Sequence, residues 1–245
     1  MKILVCITHV PDTTSKINFV DNNSKFDANG VQFIIGPYDD YALARAIEIK
    51  EALGASVTVL NVGLAETEPT LRKALAIGAD EAFRINADPV DSFFVATQIA
   101  NHAKGIGYDL ILMGRESIDY NSGVVHSLVG ELLAIPSVSP VMQLDVDGTS
   151  VKLAREIEGG KEMIEVSLPL VAGCQEPIAE WKIPNMRGIM SARTKPLTSV
   201  EPASADSGVK LQRFELPPPK GSVKMISADN VPELVNLLKN EAKVL

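Results

Sequence analysis

Residues 56–62 read SVTVLNV, residues 63–80 read GLAETEPTLRKALAIGAD, and residues 81–85 read EAFRI. The first run is apolar and rich in β-branched side chains, and the last, short and holding Ala82, Phe83 and Ile85, also reads as a strand. Residues 66–77 between them read as a helix that stops at Gly78, because glycine takes the left-handed conformation at a helix end without strain. Strand, helix and strand in this order make a βαβ unit, whose strands lie parallel and whose crossover is right-handed.

The alternation extends in both directions. Residues 2–8, KILVCIT, form a continuous apolar strand-like run. The polar stretch holding Asn22-Asn23 and Asn29-Gly30 predicts a hairpin or loop. Pro37 then opens a helix with Asp39 and Asp40 in its first turn, where acids complement the helix dipole. Leu43, Ala46, Ile47 and Leu53 are its expected buried stripe, and Gly54 ends it. Further on, residues 90–104 read as a helix, 109–113 (DLILM) as a strand and 121–134 as a helix. The fold class is therefore α/β, a domain built on a parallel sheet.

From Val138 the pattern changes. Residues 141–146, 150–157 and 163–172 alternate or run apolar around Asp147-Gly148 and Gly159-Gly160, turn dipeptides that suit antiparallel hairpins. Beyond Gln175 the chain is rich in proline and charge, with Pro217-Pro218-Pro219, and reads as an extended arm. A short amphipathic helix near 231–239 closes it. The expected division is an α/β domain with its hairpins over residues 1–175, followed by a partner-wrapping segment over 176–245.

Composition bounds the function. The chain has 245 residues, 46% apolar and 22% charged, enough to bury a core without staples. A net charge of −8 excludes a nucleic-acid partner, since phosphate contacts need a basic footprint. The charge is uneven: residues 182–224 hold eight Lys and Arg against Glu201, Asp206 and Glu215. That stretch is expected to face a partner. Cys6 and Cys174 lie in apolar runs and read as reduced, buried thiols. No targeting segment or membrane span is legible, so a bacterial cytoplasmic protein without membrane insertion is expected.

In an open parallel sheet, ligands bind beyond the carboxyl ends of the strands, near a reversal of strand order. Three segments meet that rim: residues 8–12, 62–66 and 114–123. The last reads GRESIDYNSG and is expected to enter a helix at Asn121, Ser122 and Gly123. The free N–H groups and positive dipole end of a helix form a phosphate site. From spacing alone, Asn121 or Ser122 acting as an N-cap is the simpler reading. There is no GxxxxGK[ST], GxGxxG, HExxH or G-x-S-x-G, and the three histidines form no ligand-spaced cluster. No catalytic or metal-binding residue is assigned. His102 is expected on a solvated helix face. His9 and His126 fall on rim loops, within reach of a nucleotide.

Several stretches, in order, resemble the electron transfer flavoprotein β subunits. REIEGGKE (155–162) followed by LPLVA (168–172) is similar to the family signature. MKILVCITHVPDT resembles its first strand and loop, with Thr8 where a basic residue is usual. Pro37 with Asp39, Asp40, Ala42 and Leu43 resembles its second segment. LRKALAIGAD (71–80) and IPNMRGIMSA (183–192) are similar to its LRKALAxGAD stretch and its partner-recognition loop.

The resemblance implies an adenine nucleotide alpha hydrolase-like fold and a heterodimer with a larger α subunit, whose mobile domain holds most of the redox-active FAD. This chain would be an electron carrier that is no enzyme itself. It would bury a second nucleotide, AMP in many relatives and a second FAD in bifurcating ones. Bifurcating relatives read DGDTAQVG where this chain reads DYNSGVVH (119–126). Its small-residue step favours AMP, although Val124 replaces a shared glutamine. Cys6, Gly36 and Val62 would line the adenosine, and Asn121, Ser122 and Gly123 would hold the phosphate. Arg155 and Glu156 would touch the flavin domain. Met186 at the loop tip, with Arg187, would dock acyl-CoA or other flavin dehydrogenases.

Two other classes fit less well. An ATP pyrophosphatase-like enzyme needs a glycine-rich SGGxDS loop, and residues 8–13 contain no glycine. A stand-alone nucleotide sensor like the universal stress proteins leaves the arm after Gln175 unexplained.

Overall fold

The computed structural model describes residues 1–245. In chain order the elements begin β1 (Lys2–Cys6), β2 (His9–Pro11), β3 (Phe19–Val20), β4 (Lys25–Phe26), β5 (Phe33–Ile35) and α1 (Pro37–Leu53). They continue β6 (Ser56–Val62), α2 (Glu68–Ile77), β7 (Glu81–Ile85), α3 (Ser92–Ala103), β8 (Leu110–Gly114) and α4 (Val125–Leu133). Then follow β9 (Ser137–Asp147), β10 (Ser150–Ile157), β11 (Gly160–Ser167), β12 (Leu170–Cys174), α5 (Met186–Ala192), β13 (Leu197–Val200) and α6 (Val231–Asn240).

Nine strands form one sheet in the order β11-β10-β9-β12-β8-β1-β6-β7-β13. Every ladder from β9 across to β13 is parallel. The β9–β10–β11 meander is antiparallel, as its turn dipeptides require. The stretch 56–85 is the expected βαβ unit, with Thr58 opposite Glu81 and Val62 opposite Ile85. The chain passes from β1 to β6 on one side and later enters β8 on the other. Strand order thus reverses between β1 and β8, which makes their carboxyl ends the switch point.

Two apolar layers sandwich the sheet. On one face Ile3, Val5, Val57 and Val59 pack against Leu43 and Ile47 of α1 and Leu71 and Leu75 of α2. On the other, Leu4, Cys6, Leu60 and Val62 pack against Ala96 and Ile99 of α3 and Val129 of α4. Each fully buried leucine contributes about 1.5–3 kcal/mol relative to exposure. In α1, Pro37 occupies the first turn and Gly54 ends the helix at φ 69°, a left-handed cap.

Several expectations are corrected. A short 3₁₀ turn at Ala65–Thr67 precedes α2, so the helix proper starts at Glu68. Residues 163–172 are two strands: β11 is an edge, and β12 inserts between β8 and β9. Pro169 divides them because it has no N–H to give a ladder. The segment after Gln175 is only partly an extended arm. Its β13 pairs in parallel with β7, Leu197 opposite Ala82, and so crosses the expected division at 175. Two cations secure this return. Arg72 donates to the carbonyls of Ala192 and Lys195, and Lys195 Nζ donates to those of Leu75 and Ala79 at 2.9 and 2.5 Å.

Residues 201–230 contain no helix or strand, and α6 buries no residue. Asp91 anchors the arm by accepting from the backbone N–H of Gly208 and Val209. Phe214 anchors it again, stacking on Phe19 of the β3–β4 hairpin at 4.7 Å. No helix is long and apolar enough to cross a membrane.

Candidate functional site

The switch point is closed from the α1 side by a carboxylate. Asp39 is 3% exposed and accepts from Thr8 N at 2.8 Å, Thr8 Oγ at 2.6 Å and Gly114 N at 2.7 Å. It ties the end of β1 to the end of β8. Two glycines make room for it: a Cβ on Gly36 would meet an Asp39 oxygen at 2.5 Å, and one on Gly114 at 2.7 Å. Burial pushes the Asp39 carboxyl up to about 6, while its three donors pull the other way. The Asp39 carboxyl takes up the amide and hydroxyl donors on this side of the crevice. Asp39, read from the sequence as an acid that complements the helix dipole, is thus also a buried clip.

The α3/α4 side is different. There Cys6, Val62 and Met113 form one apolar wall at the ends of β1, β6 and β8. Burial raises the Cys6 thiol above its ordinary range, so it stays neutral. The loop after β8 is tied to the start of α3 by a hydroxyl pair between Ser122 and Ser92. Asn121 takes the left-handed conformation at φ 49°, which breaks the expected helix start.

The N-cap of α4 is Val124, and no side chain caps it. Neither Asn121 nor Ser122 is the N-cap, because the serine hydroxyl turns to Ser92 and Asn121 lies in the turn before. The first-turn amides of α4 therefore lack a side-chain acceptor. An apolar wall beside such a helix start fits an adenine nucleotide: the ring against Cys6 and Val62, the phosphate against the amides.

The remaining candidates scatter. Gly36 lies at the clip, beside Thr8. His9 points to the α2 side, with Nδ1 2.7 Å from Thr70 Oγ and its ring stacked 4.4 Å from Phe33. The structure does not bring it to Cys6 and Val62. His126 is buried beneath the first turn of α4, over Gly173, where a Cβ would lie 2.8 Å from the ring. Burial lowers its pKa, against the facing carbonyls of Gly123 and Arg115, so it braces the loop as a neutral ring. His102 is not on a solvated face: its ring packs 4.7 Å from Phe83 and burial lowers its pKa.

Sequence reasoning missed two anchors. Arg84 is 6% exposed and donates to Gly63 O, Asn86 Oδ1, Ser199 Oγ and Glu68 Oε1, linking the rim after β6 to β13. Asp91 caps α3 through Phe94 N at 2.7 Å while also holding the arm. An alternating charge inside a strand and an acid before a helix were the available signals, and neither is specific.

Among the residues expected to meet partners, Arg155 pairs with Glu162 at 2.5 Å across the β10–β11 ladder. Gln175 Nε2 donates to Glu156 at 2.6 Å. Met186 is 74% exposed and heads α5, whose N-cap is Asn185, accepting from Gly188 N at 2.8 Å. Gly188 is required because a Cβ there would collide with the Ala76 carbonyl. Trp181, Ile183 and Met190 are exposed nearby. Met186 is therefore not a core residue. Arg187 carries no ion pair.

Residues 24–205 match the model of the electron transfer flavoprotein domain family. The electron transfer flavoprotein subunit beta of Bacillus subtilis is 37% identical, with all of both chains covered. That of Syntrophomonas wolfei is 35% identical over all of this chain and 98% of its own. Subunit CarD of the caffeyl-CoA reductase-Etf complex of Acetobacterium woodii is 30% identical over 99% of this chain and 98% of its own.

Proposed function

The chain belongs to the electron transfer flavoprotein family as a β-type subunit, an electron-transport component of a heterodimer, and from that premise we propose that it binds AMP as a structural ligand. Electrons pass to and from FAD held mainly by the α-type partner. The supporting observation is the pairing of the Cys6–Val62 wall with the uncapped start of α4.

The adenosine lies along Cys6 and Val62, while Gly36 makes room for the Asp39 clip that closes the other side of the rim. The phosphate lies at Asn121, Ser122 and Gly123 with the first amides of α4, and His126 braces this loop from beneath. His9, committed to Thr70, shapes the rim indirectly. The flavin supplies the redox chemistry. This chain's residues hold, orient and exclude water, and none carries a covalent or proton-transfer step.

Met186 and Arg187 dock acyl-CoA or other flavin dehydrogenases, and Arg155 and Glu156 meet the mobile flavin domain. The bacterial cytosol is the proposed compartment. The test is the nucleotide released on denaturing the co-purified heterodimer, identified by mass and absorbance. AMP in amounts equal to FAD is expected. A doubled FAD content with no AMP overturns the reading in favour of a bifurcating carrier.

A further inference from the structure

Three polar side chains join the loop after β8 to the tip of the β10–β11 hairpin. Arg115 opens the loop, with its guanidinium 5.0 Å over the Tyr38 ring, and its Nη1 donates to Gln175 Oε1 at 2.8 Å. Gln175 follows β12, is 7% exposed, and donates Nε2 to Glu156 Oε2 at 2.6 Å. A guanidinium can only donate and a carboxylate only accept, so the two partners leave the amide one orientation. The backbone of Gln175 is held as well: its N–H donates to Val141 O and its carbonyl accepts from Ile178 N. Arg115 N donates to Cys174 O.

Glu156 is exposed at the end of this relay. Its Oε2 is taken and its Oε1 is left for another donor. Of the neighbouring cations, Arg155 is neutralised by Glu162, and Lys161 stands opposite Glu156 without an ion pair. The result is a carboxylate held on an otherwise mobile side chain. We propose that Gln175, itself held by Arg115, is a positioning residue that fixes the Glu156 carboxylate for a cation on the flavin-bearing domain of the partner subunit.

This rests on the reading of Arg155 and Glu156 as the flavin-domain contact. A glutamate already ordered loses less rotamer freedom when the cation arrives. The charge-assisted bond from the amide is stronger than a neutral one and holds that order. Because Arg115 begins the candidate nucleotide loop, the same relay ties the carboxylate's position to that loop.

The experiment uses the heterodimer purified with its α-type partner. Small-angle X-ray scattering follows the ionic strength at which the flavin-bearing domain leaves this subunit, in Gln175→Leu, Glu156→Gln and the double variant. Each single change should lower the midpoint salt by about threefold, and the double should go no further, because both remove one interaction. Arg115→Met should behave as Gln175→Leu does, and it carries the test if the latter fails to fold. Arg115→Lys, which keeps a donor, should retain most of the docking. Undocking by Glu156→Gln with no effect of Gln175→Leu or Arg115→Met overturns the positioning role. Additive shifts in the double variant overturn it as well. No effect of Glu156→Gln overturns the flavin-contact reading itself.

Discussion

At the scale of single residues, Asp39 shows how one side chain takes up the donors on one side of the crevice. Its carboxyl rises from an open-chain value of 3.8 to about 6, chiefly through burial. The fold therefore favours the protonated form. The Thr8 hydroxyl, at 2.6 Å, can donate to the carboxylate or accept from the acid, so the clip survives protonation. With the folded value raised, the stabilisation is complete below about pH 3.8 and is lost as pH rises through about 6. Asn at this position sets an amide N–H against the Gly114 N–H. Asp39→Asn should cost about 1–3 kcal/mol, most at low pH, with the deficit shrinking through pH 6. Thermal unfolding of both proteins from pH 4.5 to 8 checks this; a deficit that grows with pH contradicts it. Met186 lies at the opposite extreme, 74% exposed on a capped helix. On the proposed function, Met186→Ala should weaken capture of a dehydrogenase by about 1–2 kcal/mol and leave the melting temperature unchanged. The apparent affinity in steady-state electron transfer measures the first, and a fall in melting temperature would show a structural role instead.

At the scale of elements, α3 and the arm share one carboxylate. Asp91 Oδ1 caps the helix, and Oδ2 accepts from Ser207 Oγ, Gly208 N and Val209 N. These donors hold its pKa below the ordinary carboxylate value, the Phe94 amide most of all. Ser92 beside it pairs with Ser122 of the candidate nucleotide loop. Asp91→Ala should cost about 1 kcal/mol through the lost cap. It should also free residues 207–209 for proteolysis, whereas Asp91→Asn, which still accepts one bond, should keep the cap and lose part of the arm contact. Unchanged cleavage of the arm in Asp91→Ala would show that Phe214 alone holds it. The N-terminus of α4 shows the complementary case: helical periodicity placed its start near Asn121, but the left-handed turn there and the Ser92 contact delay it to Val125.

At the scale of the whole molecule, the basic stretch of 182–224 divides in two. Lys182 pairs with Glu51, Arg213 with Glu215 and Lys224 with Glu241, and Lys195 is committed to the carbonyls that end α2. Arg187, Arg193, Lys210 and Lys220 have no ion pair. The arm beyond Val200 exposes Val209, Leu211, Leu216, Val223 and Met225, and α6 exposes Val231, Leu234 and Val235. So much apolar surface on one irregular segment needs a cover. Limited proteolysis should cut residues 215–230 readily in the isolated chain and slowly in the heterodimer. Equal protection in both would show that the arm's order does not depend on the partner.

The sequence by itself determined the parallel sheet, the hairpin meander and the family. Their signals are local and repeated: apolar runs of strand length, helical stripes ended by Gly54 and Gly78, and turn dipeptides at 147–148 and 159–160. It also showed which loops reach the rim, because each follows a strand. Only the tertiary structure decided which side of the rim a buried carboxylate clips. That depends on Asp39, Thr8, Gly36 and Gly114 meeting across separate elements, and a buried acid in a first turn has the same sequence spacing as a solvated one. Only the tertiary structure returned the chain to the sheet at β13, because Arg72 and Lys195 find their carbonyl partners across more than a hundred residues. Long-range pairing of this kind leaves no periodicity to read, since its energy lies in contacts between residues that are distant in the chain.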